Sequence, residues 1–239
     1  MSAVLETRDL TMRFGGVVAV DNVSFSLGER ELRCLIGPNG AGKSSFFNCL
    51  TGRRDQGRTS GEVLIRGQDV ARWRPHEIVQ LGVGIKTQVP SLMNGLTVEE
   101  NLWLAARRVH GYAGAGNVVQ EVMAELHLGN LARRLAGELA HGQRQVAEIG
   151  VVIVQRPWLV LLDEPAAGMT GEEIDRLVNV IRRINQTAAV IVVDHDMAFV
   201  RMLASNVTVF HRGAILVEGT AQRVLDDPRV RDVYLGNRA

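Results

Sequence analysis

The chain has little cysteine. Cys34 and Cys49 are all it carries in 239 positions. Both sit in apolar surroundings near a glycine-rich stretch, without the paired ligands a zinc site needs, and one possible disulfide is no framework. They read as buried thiols of a reducing compartment. Long apolar runs are missing too. Nothing approaches the ~18 residues needed to cross a bilayer, and residues 188–193 form a run of strand length only. The beginning carries Glu6, Arg8, Asp9 and Arg13 and no apolar stretch, so no signal peptide is expected. A membrane role would have to come through a partner. The charge has no dominant sign: 27 basic against 26 acidic residues give +1. With no dense Lys/Arg stripe, that balance gives no sign of a nucleic-acid partner. Internal repeats and low-complexity tracts are absent as well.

What is present is a composition that is 46% hydrophobic and 22% charged, enough for one domain with a large core. Short apolar runs alternate with helical patterns, which suggests βα units around a largely parallel sheet. The start differs: Val23, Phe25 and Leu27 alternate with polar residues and residues 61–65 form another short strand, together a small antiparallel layer. Residues 32–36 predict a strand that runs into a glycine-rich turn and a helix from Lys43. From Thr97 to about Val154 only helices are expected. Thr97 and Glu100 form a capping box there, residues 111–116 a loose connection, and Gly129 a helix end. Residues 158–162 and 189–193 read as buried strands. Thr170 and Glu173 form a second capping box, opening a helix to about Asn185. Residues 207–217, broken at Arg212-Gly213, read as a hairpin.

The sharpest local signal is Gly37-Pro38-Asn39-Gly40-Ala41-Gly42-Lys43-Ser44, with Ser45 following it into the helix. It fits the phosphate-binding pattern G-x-x-x-x-G-K-[ST] between a strand and a helix. Glycines let the backbone curl so that its N–H groups meet phosphate oxygens, and the helix N-terminus adds partial positive charge. Lys43 suits the β/γ-phosphates and the Ser44 hydroxyl suits Mg²⁺. Asp163-Glu164 ends a buried apolar strand, where two adjacent carboxylates are costly unless they meet a cation. Asp163 suits the metal shell, and Glu164 suits a base that polarises an attacking water.

In order and over nearly the whole chain, these motifs resemble the ABC-type ATPases. The resemblance implies an α/β fold: a P-loop NTPase core with a mostly parallel sheet, an N-terminal antiparallel β layer and an inserted helical subdomain. It also implies one nucleotide-binding domain over residues 1–239, with its core at 1–90 and 155–239 and the helical part at 91–154. Phe14, before Gly15-Gly16, falls where the family stacks an aromatic on adenine. Gln88 falls where a glutamine contacts Mg²⁺ and water and senses the membrane partner. Leu139-Ala140-His141-Gly142-Gln143 occupies the place of the signature sequence. Asp163 and Glu164 match the metal aspartate and catalytic glutamate, Thr170 lies in the loop that crosses the dimer interface, and His195 matches the histidine at the γ-phosphate. ATP and Mg²⁺ are the implied ligands.

The resemblance further implies a homo- or heterodimer in which each signature segment faces the ATP held by the other subunit. It implies permease subunits, indirectly a solute-binding protein, and a peripheral position on the cytoplasmic face of the inner membrane. Three positions depart from the pattern. Ala140 replaces the signature serine, whose hydrogen bond to a charged group would be worth roughly 1.5–3 kcal/mol. His141 replaces a glycine, and is expected to offset that loss in part together with the helix-end amides. Thr170 replaces an aspartate. The finer resemblance is to importers of branched-chain amino acids and of urea and short-chain amides, carried by residues 14–20, 96–106, 163–169, 194–220 and 227–236. His141 with Gly168-Met169-Thr170 looks most like the urea branch. A lipopolysaccharide-exporting ATPase is the alternative. A DNA-repair ATPase would need a long coiled coil, for which the stretch from Ser44 to Leu139 leaves no room and shows no heptads.

Overall fold

The computed structural model describes residues 3–53 and 57–235. Two sheets organise it. The first is antiparallel, in the order β2-β1-β4-β5, built from β1 (Ala3–Phe14), β2 (Val17–Gly28), β4 (Arg58–Ile65) and β5 (Gln68–Asp69). The expected antiparallel layer is therefore present. Its central strand β1 was not anticipated, because charges interrupt its alternation at Glu6, Arg8 and Asp9. Asp9 takes a positive φ of 48° at a register shift between Thr7 and Leu10, which lets the strand keep Leu5, Leu10 and Met12 inward despite the break in period.

The second sheet has the order β10-β9-β3-β8-β7-β6. Its strands are β3 (Leu32–Ile36), β6 (Val83–Lys86), β7 (Leu159–Asp163), β8 (Ala189–Val193), β9 (Asn206–His211) and β10 (Ala214–Thr220). All pair in parallel except the β9–β10 hairpin. Both β7 and β8 are buried at every residue, as strands covered on two faces must be. One apolar cluster lies between the two sheets, around α1 (Lys43–Leu50) with its Phe46 and Phe47, and includes Ile78 of the short α2 (Pro75–Gln80). A second lies on the far face, around α4 (His141–Ile153), α5 (Gly171–Asn185) and α6 (Met197–Leu203).

Between β6 and β7 the chain is helical, as expected. It holds α3 (Val98–Glu125), two short 3-10 turns and α4. Two expectations there need correction. Residues 111–116 are not a loose connection: the helix is broken at Gly111 alone (φ 69°, ψ −178°) and resumes, burying Ala115 and Val119. Gly129 does not end the helix either. The helix stops at Glu125, His127 adopts φ 55°, and Gly129 opens a 3-10 turn. A histidine takes the left-handed position that glycine usually holds, so the sequence rule pointed two residues too far. Both capping boxes are seen. Glu100 accepts from the Thr97 N–H at 2.8 Å while the Thr97 hydroxyl accepts from the Glu100 N–H at 3.2 Å. Glu173 accepts from the Thr170 N–H at 2.8 Å. Of the segments named for the finer resemblance, only the last residue, Gly236, lies outside the described residues.

Candidate active site

The glycine-rich loop leaves the carboxyl end of β3 and enters α1, at the edge where parallel strands place ligands. Its shape is forced by close approach. A Cβ on Gly37 (φ +148°) would lie 2.3 Å from the Phe210 carbonyl oxygen, and one on Gly42 (φ +102°) 2.3 Å from that of Ala19. Only glycine fits at either place. The Gly213 N–H donates to Ala41 O at 2.9 Å, so the tip of the β9–β10 hairpin braces the loop from outside. Inside it, the Lys43 ammonium donates to the carbonyls of Gly37 (2.6 Å) and Pro38 (3.0 Å). The loop is wrapped around its own cation. Burial lowers the Lys43 pKa, and the carboxylates of Glu164, Asp163 and Asp194 act against that shift. Pro38 is half-buried, whereas Asn39, Gly40 and Ser44 are exposed, so their amides and the Ser44 hydroxyl are open to a ligand. Ala41 is buried and Ser45 half-buried.

Asp163 is the last residue of β7. Its Oδ1 is buried with no hydrogen-bond partner, and burial, then the neighbouring Glu164 charge, push its carboxyl up to about 6. An orphaned, buried carboxylate of this kind fits a divalent cation, which would satisfy the oxygen and restore the charged form. Glu164 leaves the strand at φ 45°, a left-handed conformation a glutamate seldom adopts, with its N–H bonded to Val193 O at 2.8 Å. That turn keeps its carboxylate half-exposed, and Oε1 lies 3.5 Å from His195 Nδ1. Asp194, which sequence reasoning gave no role, aims the histidine: its Oδ1 accepts the N–H groups of His195 (2.7 Å) and Asp196 (3.0 Å). Its Oδ2 is buried and unpartnered, and burial raises its pKa. Lys43, Asp163, Glu164 and His195 are thus brought to one edge of the sheet.

Gln88 sits just past β6, exposed, on the connection toward α3. Phe14 ends β1 at the hairpin turn opposite Val17, half-buried against the inter-sheet cluster. Leu139 and Ala140 precede α4, with Ala140 as its N-cap. Methyl being no acceptor, only half a capping box exists, in which the Ala140 N–H donates to Gln143 Oε1 at 3.2 Å. Gly142 is buried, and the His141 Nε2 stands 2.7 Å from Ala167 O of its own chain.

Sequence reasoning missed a buried ion pair next to this edge. Lys86, ending β6, lies 3.5 Å from Glu148 of α4, with side chains 3% and 4% exposed. Arg144 stands 3.5 Å from the other Glu148 oxygen. Lys86 is also one of the cations that hold the Asp163 pKa down. The available signal was a charge closing the apolar run Val83-Gly84-Ile85 and a glutamate on an apolar helix face.

Comparison with known proteins agrees with this geometry. Residues 20–167 match the ABC transporter family. The chain belongs to that family. Residues 214–239 match a second description, the branched-chain amino acid ATP-binding cassette transporter. The high-affinity branched-chain amino acid transport ATP-binding protein BraF of Pseudomonas aeruginosa is 35% identical, over 98% of both chains. LivG of Salmonella typhimurium, with the same description, is 33% identical over 98% of both. The lipopolysaccharide export system ATP-binding protein LptB of Acidithiobacillus ferridurans is 30% identical over 100% of this chain and 99% of its own. Among solved structures, the ADP conformation of an ATP-binding cassette of an ABC transporter superposes with a TM-score of 0.86 at 28% identity, covering 99% of this chain and 100% of that one. This member of the family is an ATP-hydrolysing transporter subunit.

Proposed function

We propose that the chain powers an ATP-driven importer of branched-chain amino acids, as one half of a nucleotide-binding dimer held against permease subunits at the cytoplasmic face of the membrane. The similarity to branched-chain amino acid ATP-binding proteins over nearly the full length, together with the matched C-terminal segment, carries this reading. It favours branched-chain amino acids over urea and short amides. The LptB relative keeps a second reading, lipopolysaccharide export, in view. Co-purification of the chain with its membrane subunits, followed by solute-stimulated ATPase assays, separates the two. Stimulation by a leucine-loaded binding protein supports import, and stimulation by lipopolysaccharide alone refutes it.

In this reading, Phe14 stacks on adenine. The loop amides from Gly37 to Ser45 and the Lys43 ammonium hold the β- and γ-phosphates. Ser44, Asp163 and Gln88 would hold Mg²⁺, which neutralises developing phosphate charge when bound. Glu164 takes the proton of the attacking water as its oxygen bonds to the γ-phosphorus. The bond to the β-phosphate's bridging oxygen breaks, giving ADP and phosphate. His195, aimed by Asp194, braces the γ-phosphate. The signature segment Ala140-His141-Gly142-Gln143 faces the partner's nucleotide, and the helical part at 91–154 carries closure to the permease through the Gln88 connection.

Steady-state hydrolysis across protein concentration, beside Glu164→Gln, tests the assignment. Turnover should rise more steeply than linearly with concentration and fall by about 10²–10³-fold in the variant, which keeps ATP binding. Linear dependence on concentration, or an active variant, refutes it.

A further inference from the structure

The start of α4 is fastened to the core by its histidine. His141 Nε2 lies 2.7 Å from the carbonyl oxygen of Ala167, three residues past Glu164. A carbonyl only accepts, so Nε2 carries the proton and donates. The Gln145 side-chain amide nitrogen is 3.3 Å from the same ring nitrogen, while Gln145 Oε1 is buried without a partner. With that amide turned over, the oxygen becomes a second acceptor for the same proton. The ring is seated as well as bonded. A Cβ on Gly168 (φ +71°) would stand 3.2 Å from His141 Nε2, and a Cβ on Gly142 would stand 2.1 Å from Glu173 Oε1. Gly168 thus lets the loop at 165–170 meet the His141 ring at contact distance, while Gly142 lets the helix start meet Glu173 in the first turn of α5. Met169 packs into the same apolar cluster as α4.

We propose that His141 is a positioning residue that makes the partner-facing signature segment and the loop after Glu164 one body within each subunit. This rests on the dimeric reading above. In that reading, Ala140 to Gln143 serve the ATP of the other subunit, whereas Glu164 serves the ATP of its own. A histidine joining the two couples the sites to each other: closure of the signature segment on one nucleotide displaces the Ala167 carbonyl, and with it the loop that follows the other site's base. With Nε2 committed to Ala167, the hydroxyl lost at Ala140 is not replaced by this nitrogen.

The test compares wild type, His141→Ala and His141→Gln in the full chain. Glutamine keeps an N–H donor at similar reach, and alanine keeps the helix. The readouts are hydrolysis against ATP concentration and, in a Glu164→Gln background, ATP-driven dimerisation by light scattering. We expect His141→Ala to lower the Hill coefficient from about 2 to about 1 and kcat about fivefold, the loss of one ordinary hydrogen bond. Dimerisation should persist, and His141→Gln should restore most of the cooperativity. An unchanged Hill coefficient in His141→Ala, or a glutamine variant that behaves as alanine does, overturns the proposal. So does loss of ATP-driven dimerisation on adding His141→Ala, which would make the imidazole a direct interface ligand. A Glu164→Gln chain that stays monomeric with ATP, wild-type His141 in place, instead removes the dimeric reading itself.

Discussion

Replacing Lys86 with methionine isolates the buried pair beside the sheet edge that carries Asp163 and Glu164. The ammonium is 3.5 Å from Glu148, and neither side chain is more than 4% exposed, so solvent cannot take over the lost interaction. Removing one member of such a pair costs about 3–5 kcal/mol, mostly the penalty of leaving the other charge uncompensated. Arg144, 22% exposed and 3.5 Å from the second Glu148 oxygen, remains as a partial partner, which puts the expected loss near the lower bound. In a chain of this size, about 3 kcal/mol lowers the melting temperature by roughly 6–12 °C. The assay is thermal unfolding by circular dichroism near neutral pH, without nucleotide. The decisive control is Lys86→Met with Glu148→Leu. With both charges gone, nothing is left buried and unpaired, and most of the stability should return. A double variant as unstable as the single one would refute the reasoning, as would a single variant within about 2 °C of wild type.

Asp163 gives a stability profile whose sign follows from its position. Its carboxyl titrates at about 6 in the fold against an ordinary 3.8, because of burial first and Glu164 second. In the metal-free chain the group therefore contributes stability below about 3.8, and that contribution is lost as pH rises through about 6. Above that, the buried charge is a constant penalty. Asp163→Asn should then raise the stability of the metal-free chain near neutral pH by on the order of 1–2 kcal/mol, a gain that fades toward acid pH in urea titrations, while abolishing Mg²⁺-dependent turnover. A variant less stable than wild type near neutral pH would contradict the account. Ala140→Ser installs an acceptor at the N-cap of α4, where only half a capping box exists. It should stabilise the nucleotide-free chain by about 1 kcal/mol, or 2–4 °C in melting temperature. A rise seen only with ATP would place the serine's whole benefit at the partner's phosphate.

Much of the site was legible because its chemistry is local. A strand, a glycine-rich turn and a helix start are contiguous in sequence, so Gly37 to Ser45 announce their conformation. Asp163-Glu164 are visible for a related reason, since adjacent charges at the end of an apolar run have no bland purpose. The parallel β7 and β8, the hairpin at 206–220 and both capping boxes follow from periodicity or from pairs three residues apart. What failed was also local, but ambiguous. A charged break hid β1, and glycines at 111–116 and 129 overstated the interruptions, because one glycine with φ 69° suffices to bend α3 and a histidine can end it.

The sequence by itself determined that a glycine-rich loop between a strand and a helix, and a pair of adjacent carboxylates at a strand end, lie on one α/β core, because each depends on neighbours along the chain. The tertiary structure alone decided how they are held. Lys86 meets Glu148 from 62 positions away in sequence, and the two resolve as a pair only when β6 and α4 pack together. Asp194 orients His195, the Phe210 and Ala19 carbonyls forbid side chains at Gly37 and Gly42, and His141 reaches Ala167 from a different part of the fold. Such contacts depend on distances between elements remote in sequence. A one-dimensional pattern names the residues, but only packing fixes which buried charge finds its partner.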